Sequence, residues 1–219
     1  MSKRMNRKKE EKKKAILGAA EKIIAEKGPY TMTMDEIARE ADVATGTLYL
    51  YFKNKTSLCA AVNASLNREV NAEMKKSMAL YETGSEKVRA AGTGIVQFVF
   101  KHPQKWNAAT ELYQIKFDDP KDPNVQELID EDDIGIQMFA DAYRQAIKEG
   151  DLREDIDPVP TAIFFKMAFS NAFTPTTEQK LLLKRNNIDM NHYLEVARDL
   201  IIRSTHKTRP EDKGPEQLE

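Results

Sequence analysis

The 219-residue chain has one cysteine, one tryptophan and nine glycines, and no uninterrupted apolar run of eighteen residues. A lone cysteine, Cys59, cannot form an internal disulfide and fits a reducing, cytoplasmic setting. Without a long apolar run no membrane span is indicated, and the basic N-terminus lacks the apolar stretch of a secretory leader. His102, His192 and His206 share no ligand spacing with one another or with Cys59, so zinc is unsupported. Phosphate-binding loops, dinucleotide fingerprints, serine elbows and HExxH patterns are missing too. No catalytic residue, metal site or cofactor is therefore assigned, and an enzyme is not expected. Period-two alternation and internal repeats are absent while helical periodicity recurs, so the expected fold is all-α.

Charge is present in both signs but unevenly placed. Lys and Arg number 34 against 35 Asp and Glu, a net of −1. Residues 1–57 alone carry 13 basic and 8 acidic side chains, a net of +5, and the remainder carries −6. A basic head on an acidic body is the pattern of a module that meets a polyanion. Ser2 to Lys14 has eight basic and two acidic residues, too little apolar content to fold alone, and reads as a mobile arm or frayed helix extension. Its position suits contacts to flanking phosphates or the minor groove.

The informative stretch is Thr33 to Leu58. Thr33 and Glu36 form a capping box that starts a helix at Met34, and Ile37, Ala38 and Ala41 share one face of it. Asp42-Val43-Ala44 makes a tight break, after which Thr45 can cap a second short helix, Gly46 to Tyr51. Two such helices joined by a few residues describe a helix-turn-helix. Ala38 and Ala41 let them cross closely, with Val43 and Leu48 in the corner. Thr45, Gly46 and Thr47 are then placed to meet base edges. Tyr49, Tyr51, Lys53, Lys55 and the hydroxyls of Thr31 and Thr33 would hold phosphates.

The order Thr33, Ile37-Ala38, Ala41, Val43, Gly46, Leu48-Tyr49, Phe52, Lys55 and Leu58 resembles the DNA-binding signature of TetR/AcrR-type transcriptional repressors. Upstream, Ala15 to Ala20 and Ala25-Glu26-Lys27-Gly28 resemble that family's first helix and its closing glycine. The likeness covers residues 12 to 60. Asp42 departs from it, standing where the family usually has Gly, and Asp tolerates a left-handed backbone better than most residues.

Helices are expected over Lys12–Lys27, ended by Gly28-Pro29, and over Lys55–Tyr81, a span of about 35–40 Å able to carry a displacement. Others follow at Ser85–Lys101, Gln104–Phe117, Val125–Glu149, Val159–Phe173 and Met190–Ser204. Leu181 to Leu183 falls in a polar connection, and Glu127 to Asp133 reads as a solvated acidic face. Gly92 and Gly94 permit close helix packing or a ligand. The division expected is an arm and helix-turn-helix head at 1–57, a helical body at 58–205 and an unstructured tail at 206–219.

The resemblance implies that the body encloses an inducer cavity and that its last two long helices pair with those of a second copy. Phe98, Trp106, Tyr113, Met138, Phe139 and Tyr143 are the wall residues expected for a small hydrophobic effector. For the paired face the candidates are Phe164, Met167, Ala168, Asn171, Tyr193, Val196, Ala197 and Leu200; the two-sided apolar character of 163–173 points the same way. The reading is a homodimeric repressor that binds palindromic operator DNA and is released by its effector. Two alternatives stay open: a DNA-binding regulator without a small-molecule effector, and a helical enzyme or scaffold with an inert head.

Overall fold

The computed structural model describes residues 3–112, 115–117, 119–173 and 175–206. Among these residues there are ten α-helices: α1 Lys3–Lys27, α2 Met34–Glu40, α3 Thr45–Tyr51, α4 Lys55–Met78, α5 Gly84–Lys101, α6 Pro103–Leu112, α7 Pro123–Glu149, α8 Pro158–Phe173, α9 Thr177–Arg185 and α10 Met190–Thr205. None of them is long and apolar enough to cross a membrane. The expected all-α class is what is found, with one isolated bridge between Leu152 and His206. The tail beyond His206 lies outside the described residues, as does Tyr113.

Two compact units divide the chain, and they do not follow chain order. The first joins residues 1–77 with 92–135, the second joins 78–91 with 136–219. In the first unit, Ile16, Ala19, Ala20, Ile23 and Ile24 of α1 form the buried stripe that their spacing predicts. They meet Ile37 and Ala38 of α2, Leu48 of α3, Phe52, Leu58, Val62 and Leu66 around α4, and Ala108, Ala109 and Leu112 of α6. A smaller cluster, Ala60 and Ala64 with Val125 and Leu128 of α7, lies on another side of α4. Residues Ser57 to Ala64 are consequently all buried. Gly94 belongs to this packing, since a Cβ there would stand 2.9 Å from the Glu73 carbonyl oxygen. Close packing is thus the role of Gly94, while nothing lies within 4 Å of a Cβ at Gly92.

In the second unit, Ala140, Tyr143 and Ala146 of α7 pack with Leu152, Ala162 and Phe165, and with partly buried Val88, Phe139 and Val159. The start of α5 is tied to the end of α7: Glu149 accepts from the Gly84 N–H at 2.7 Å, and Lys87 donates to Gln145 at 2.9 Å. The Leu152–His206 bridge and the Arg153 N–H to Thr205 carbonyl bond, 3.2 Å, place the start of α8 beside the end of α10. The two helices therefore run antiparallel.

Several expected boundaries change. α1 extends back to Lys3, so of the two readings of the basic arm the helix extension is the one found. α4 stops at Met78 rather than Tyr81, and residues 115–117 lie outside α6 rather than within it. α9 replaces the polar connection, started by a capping box in which Thr176 and Gln179 satisfy each other's backbone N–H groups. The acidic face of α7 is only partly solvated. Arg68 bonds Glu127 at 2.8 Å and Glu131 at 2.7 Å, and Asn67 donates to Asp132. Their spacing along α7 brings those carboxylates onto the side facing α4.

The break between α2 and α3 depends on Asp42, whose φ is +52°. A Cβ is disfavoured there, and only Gly, Asn and Asp visit the region routinely. Asp42→Ala is expected to lower stability by about 1 kcal/mol, whereas Asp42→Gly leaves it unchanged or raised. Urea denaturation of the two variants beside the natural chain checks this.

Candidate nucleic-acid interface

Neither α2 nor α3 can stand alone, because seven residues are too few for a stable isolated helix. α2 begins at Thr33, whose hydroxyl accepts from the Glu36 N–H at 3.2 Å while Glu36 Oε2 accepts from the Thr33 N–H at 2.9 Å. α3 begins differently from expectation. Its N-cap is Ala44, which offers no side-chain bond, and Thr45 is the first helical residue. Its hydroxyl instead donates to Asp35 Oδ1 at 2.8 Å, tying the start of α3 to the first turn of α2. Leu48 and Phe52 are fully buried and Val43 packs beside them, so the corner fills as the spacing predicts.

Burying Leu48 turns the opposite side of α3 outward. Tyr49 is 51% exposed and Leu50 is 83% exposed. Gly46 is exposed and Thr47 is half-buried at the same end. Tyr51 is half-buried against the core, its ring 6.4 Å from that of Phe52. Leu50 was not singled out from sequence, because a leucine between two tyrosines reads as core until the helix phase is known.

The expected phosphate ligands fall into two groups. Lys53 is exposed, with an ion pair to Asp119 at 3.2 Å that solvent weakens. Lys55 is engaged inside the unit: its ammonium donates to the carbonyls of Tyr30 at 2.7 Å and Met32 at 3.0 Å, pinning the α1–α2 turn to α4. Thr31 donates its hydroxyl to the Lys27 carbonyl at 2.5 Å, and Thr33 donates to Glu36 Oε2 at 2.9 Å. Both hydroxyls keep lone pairs, but a phosphate needs a donor. Tyr30, 65% exposed on the same turn, is the side chain that stands outward there.

Below the reader, the α6–α7 loop is bonded to the start of α4. Ser57 Oγ donates to buried Asp122 at 3.1 Å and accepts from Asn124 Nδ2 at 2.9 Å. The Ser57 N–H donates to Asn54 Oδ1 at 2.8 Å. Cys59, two residues on, is buried, and burial pushes its thiol up to about 11, so it stays protonated at neutral pH.

The residues expected to line an effector cavity are distributed over both units. Phe98 is buried against His102, ring centroids 5.2 Å apart, and Trp106 is buried, both in the first unit. In the second, Tyr143 lies 6.0 Å from Phe165, and Phe139 shares that cluster. Burial holds the Tyr143 phenol well above its ordinary range. Met138 is half-buried.

Of the residues expected on a paired face, Phe164 (63%), Met167 (64%), Val196 (44%) and Leu200 (64%) are exposed on α8 and α10. Ala168, Tyr193 and Ala197 are half-buried. The side chain of Asn171 lies outside the described residues.

A three-helix head with a helix-turn-helix, set among helices throughout the described residues, is the arrangement found. Residues 16–62 match the family of bacterial regulatory proteins of the tetR type. The chain is 47% identical over 49 residues to the HTH-type transcriptional regulator HbdR of Aromatoleum sp. (strain CIB), 22% of this chain and 21% of that one. It is 34% identical over 73 residues to the fatty acid metabolism regulator protein of Bacillus subtilis, 33% of this chain and 38% of that one. These alignments span well under half the length of either relative. Among solved structures, the transcriptional regulator FadR from Bacillus subtilis in complex with stearoyl-CoA superposes with a TM-score of 0.67 at 19% identity, over 88% of this chain and 98% of that one. The family match lies in the head, at residues 16–62, and the solved structures show a shared fold over most of the chain.

Glu36 supplies a pH test of the head. Its carboxyl is held down to about 2 from an ordinary 4.5, first by the Lys27 ammonium at 2.5 Å, then by the Thr33 hydroxyl and N–H. A depressed carboxyl stabilises the fold above its unfolded value and loses that contribution as pH falls through the folded one. The natural chain should therefore be more stable than Glu36→Gln at pH 7. The gap should narrow between about pH 4.5 and 2, as read from thermal melts across that range.

Proposed function

We propose that the chain is a homodimeric, ligand-responsive repressor that binds a palindromic operator in the cytoplasm. The observation that carries this reading is the outward side of α3, where Tyr49, Leu50, Thr47 and Gly46 stand free of the core that Leu48 occupies. A helix of this size enters the major groove with few side chains, so one copy reads too little sequence for a specific affinity. Two copies paired through the apolar α8 and α10 faces place two readers on one side of the duplex. Thr45, Gly46 and Thr47 are assigned to base edges, and Tyr49, Lys53 and the first turn of α1–α2 to phosphates. Lys55 is assigned a positioning role, through the turn that holds Tyr30. The functional division remains a head at 1–57 and a regulatory and dimerisation body at 58–205.

Regulation is assigned to a hydrophobic effector with a long acyl chain. Support comes from the stearoyl-CoA bound to the Bacillus subtilis FadR, whose fold this chain shares, and from the sequence likeness to a fatty acid metabolism regulator. Phe98, Trp106, Tyr113, Met138, Phe139 and Tyr143 remain its proposed contacts. The route to the reader is the start of α4. Any motion of α7 pulls on Asp122 and Asn124, which hold Ser57, six residues beyond the end of α3 in the folded core. An effector that prefers the displaced conformer lowers operator affinity by its differential affinity for the two conformers.

Fluorescence anisotropy on DNA selected for binding tests this. Affinity is expected to fall steeply as salt rises, because phosphates release counterions. Tyr49→Ala should weaken binding at least tenfold with an unchanged melting temperature, whereas Lys55→Ala should lower both. Stearoyl-CoA should release the complex. Binding indifferent to Tyr49→Ala would remove the reader assignment, and indifference to every acyl-CoA chain length would remove the effector class.

A further inference from the structure

α9 is a helix without a core. It is nine residues long, capped at its start, and buries none of its side chains; Leu181 is 62% and Leu182 51% exposed. Nine residues do not hold a helix in water by themselves, and adjacent exposed leucines carry a hydrophobic cost. Its surroundings are basic, with Lys180, Lys184 and Arg185 against Glu178.

The opposite end of the α8–α10 hairpin has the complementary features. A groove of about 330 Å³ lies there, lined by Ile156, Pro160, Phe164 and Phe165 together with Thr205 and Arg153. Its rim carries Asp151, Glu154, Asp155 and Asp157, all exposed, with Arg153 paired to Asp155. A chain cannot satisfy its own groove. α8 and α10 run antiparallel, so α9 lies at the far end of α8, and 16 helical residues separate the ends by about 24 Å.

We propose that α9 is an exchange arm between two copies of this chain. Leu181 and Leu182 of one copy seat in the Ile156–Pro160–Phe164 groove of the second, and Lys180, Lys184 and Arg185 face its 151–157 rim. A twofold axis crossing α8 and α10 makes both contacts at once, each end of one hairpin meeting the opposite end of the other, and closes the assembly at two. Two parallel hairpins would instead bring basic α9 against basic α9. This rests on the pairing of the α8 and α10 faces proposed above and adds its direction and the arm.

Charge exchange tests it on the full chain. One variant carries K180E, K184E and R185E; the other carries D151K, E154K and D157K. Sedimentation equilibrium at low salt should find each variant alone dimerising at least tenfold more weakly than the natural chain. An equal mixture should form heterodimers of near-natural affinity, because both contacts are restored together. Unchanged dimerisation of the two variants, with no preference for the mixed dimer, overturns the arm and leaves the α8–α10 pairing standing. Reversals that lower the melting temperature without affecting dimerisation place α9 on its own chain and also overturn it. A natural chain that stays monomeric, or Leu200→Asp without effect on a dimer, removes the pairing itself.

Discussion

The first two turns of α4 are the constraint on which the reader depends. Ser57 to Ala64 are buried around the whole helix, with the α1–α6 core on one side and α7 on another. Such a segment cannot rotate or slide without opening two apolar contacts at once. Three residues separate α3 from α4, and Phe52 among them is fully buried. The orientation of Tyr49 and Leu50 is therefore set by the seating of α4 rather than by anything intrinsic to a seven-residue helix.

Polar bonds then fix what apolar packing leaves free. Lys55 spans from α4 to the turn before α2, Thr45 ties α3 to Asp35, and the Asp122–Ser57–Asn124 group ties α4 to the α6–α7 loop. Buried or half-buried bonds of this kind are directional, and losing one partner leaves a desolvated group behind. They convert a greasy contact into a defined angle. The Arg68, Glu127 and Glu131 seam between α4 and α7 is a different material: ionic, partly wet, and able to re-pair after a shift. An α4 gripped by apolar contacts at one end and lined by exchangeable ion pairs further along is suited to pivot about its start.

Much of the head was legible in sequence because its signals are local. The Thr33–Glu36 capping box, the glycine at 28 with φ +78° and the left-handed Asp42 each act within four residues, and each is found where its chemistry placed it. What escaped depends on distant partners. Lys55 looks like a phosphate ligand until Tyr30 and Met32 arrive from 25 and 23 residues away to accept its bonds. The acidic run of α7 looks solvated until α4 supplies Arg68. α9 was missed for a local reason, since its capping box at Thr176 and Gln179 precedes three leucines that carry no helical period. The proposed effector contacts are the least legible part, because core and pocket walls use the same aromatic side chains.

The central claim is that two copies present α3 to one duplex with twofold symmetry. Selection of binding sites from random double-stranded DNA by the purified full-length chain tests it most directly. The account predicts a recovered motif made of two inverted half-sites, centred about one helical turn apart or a multiple of it. A single asymmetric motif, or no enrichment over input DNA, would contradict it.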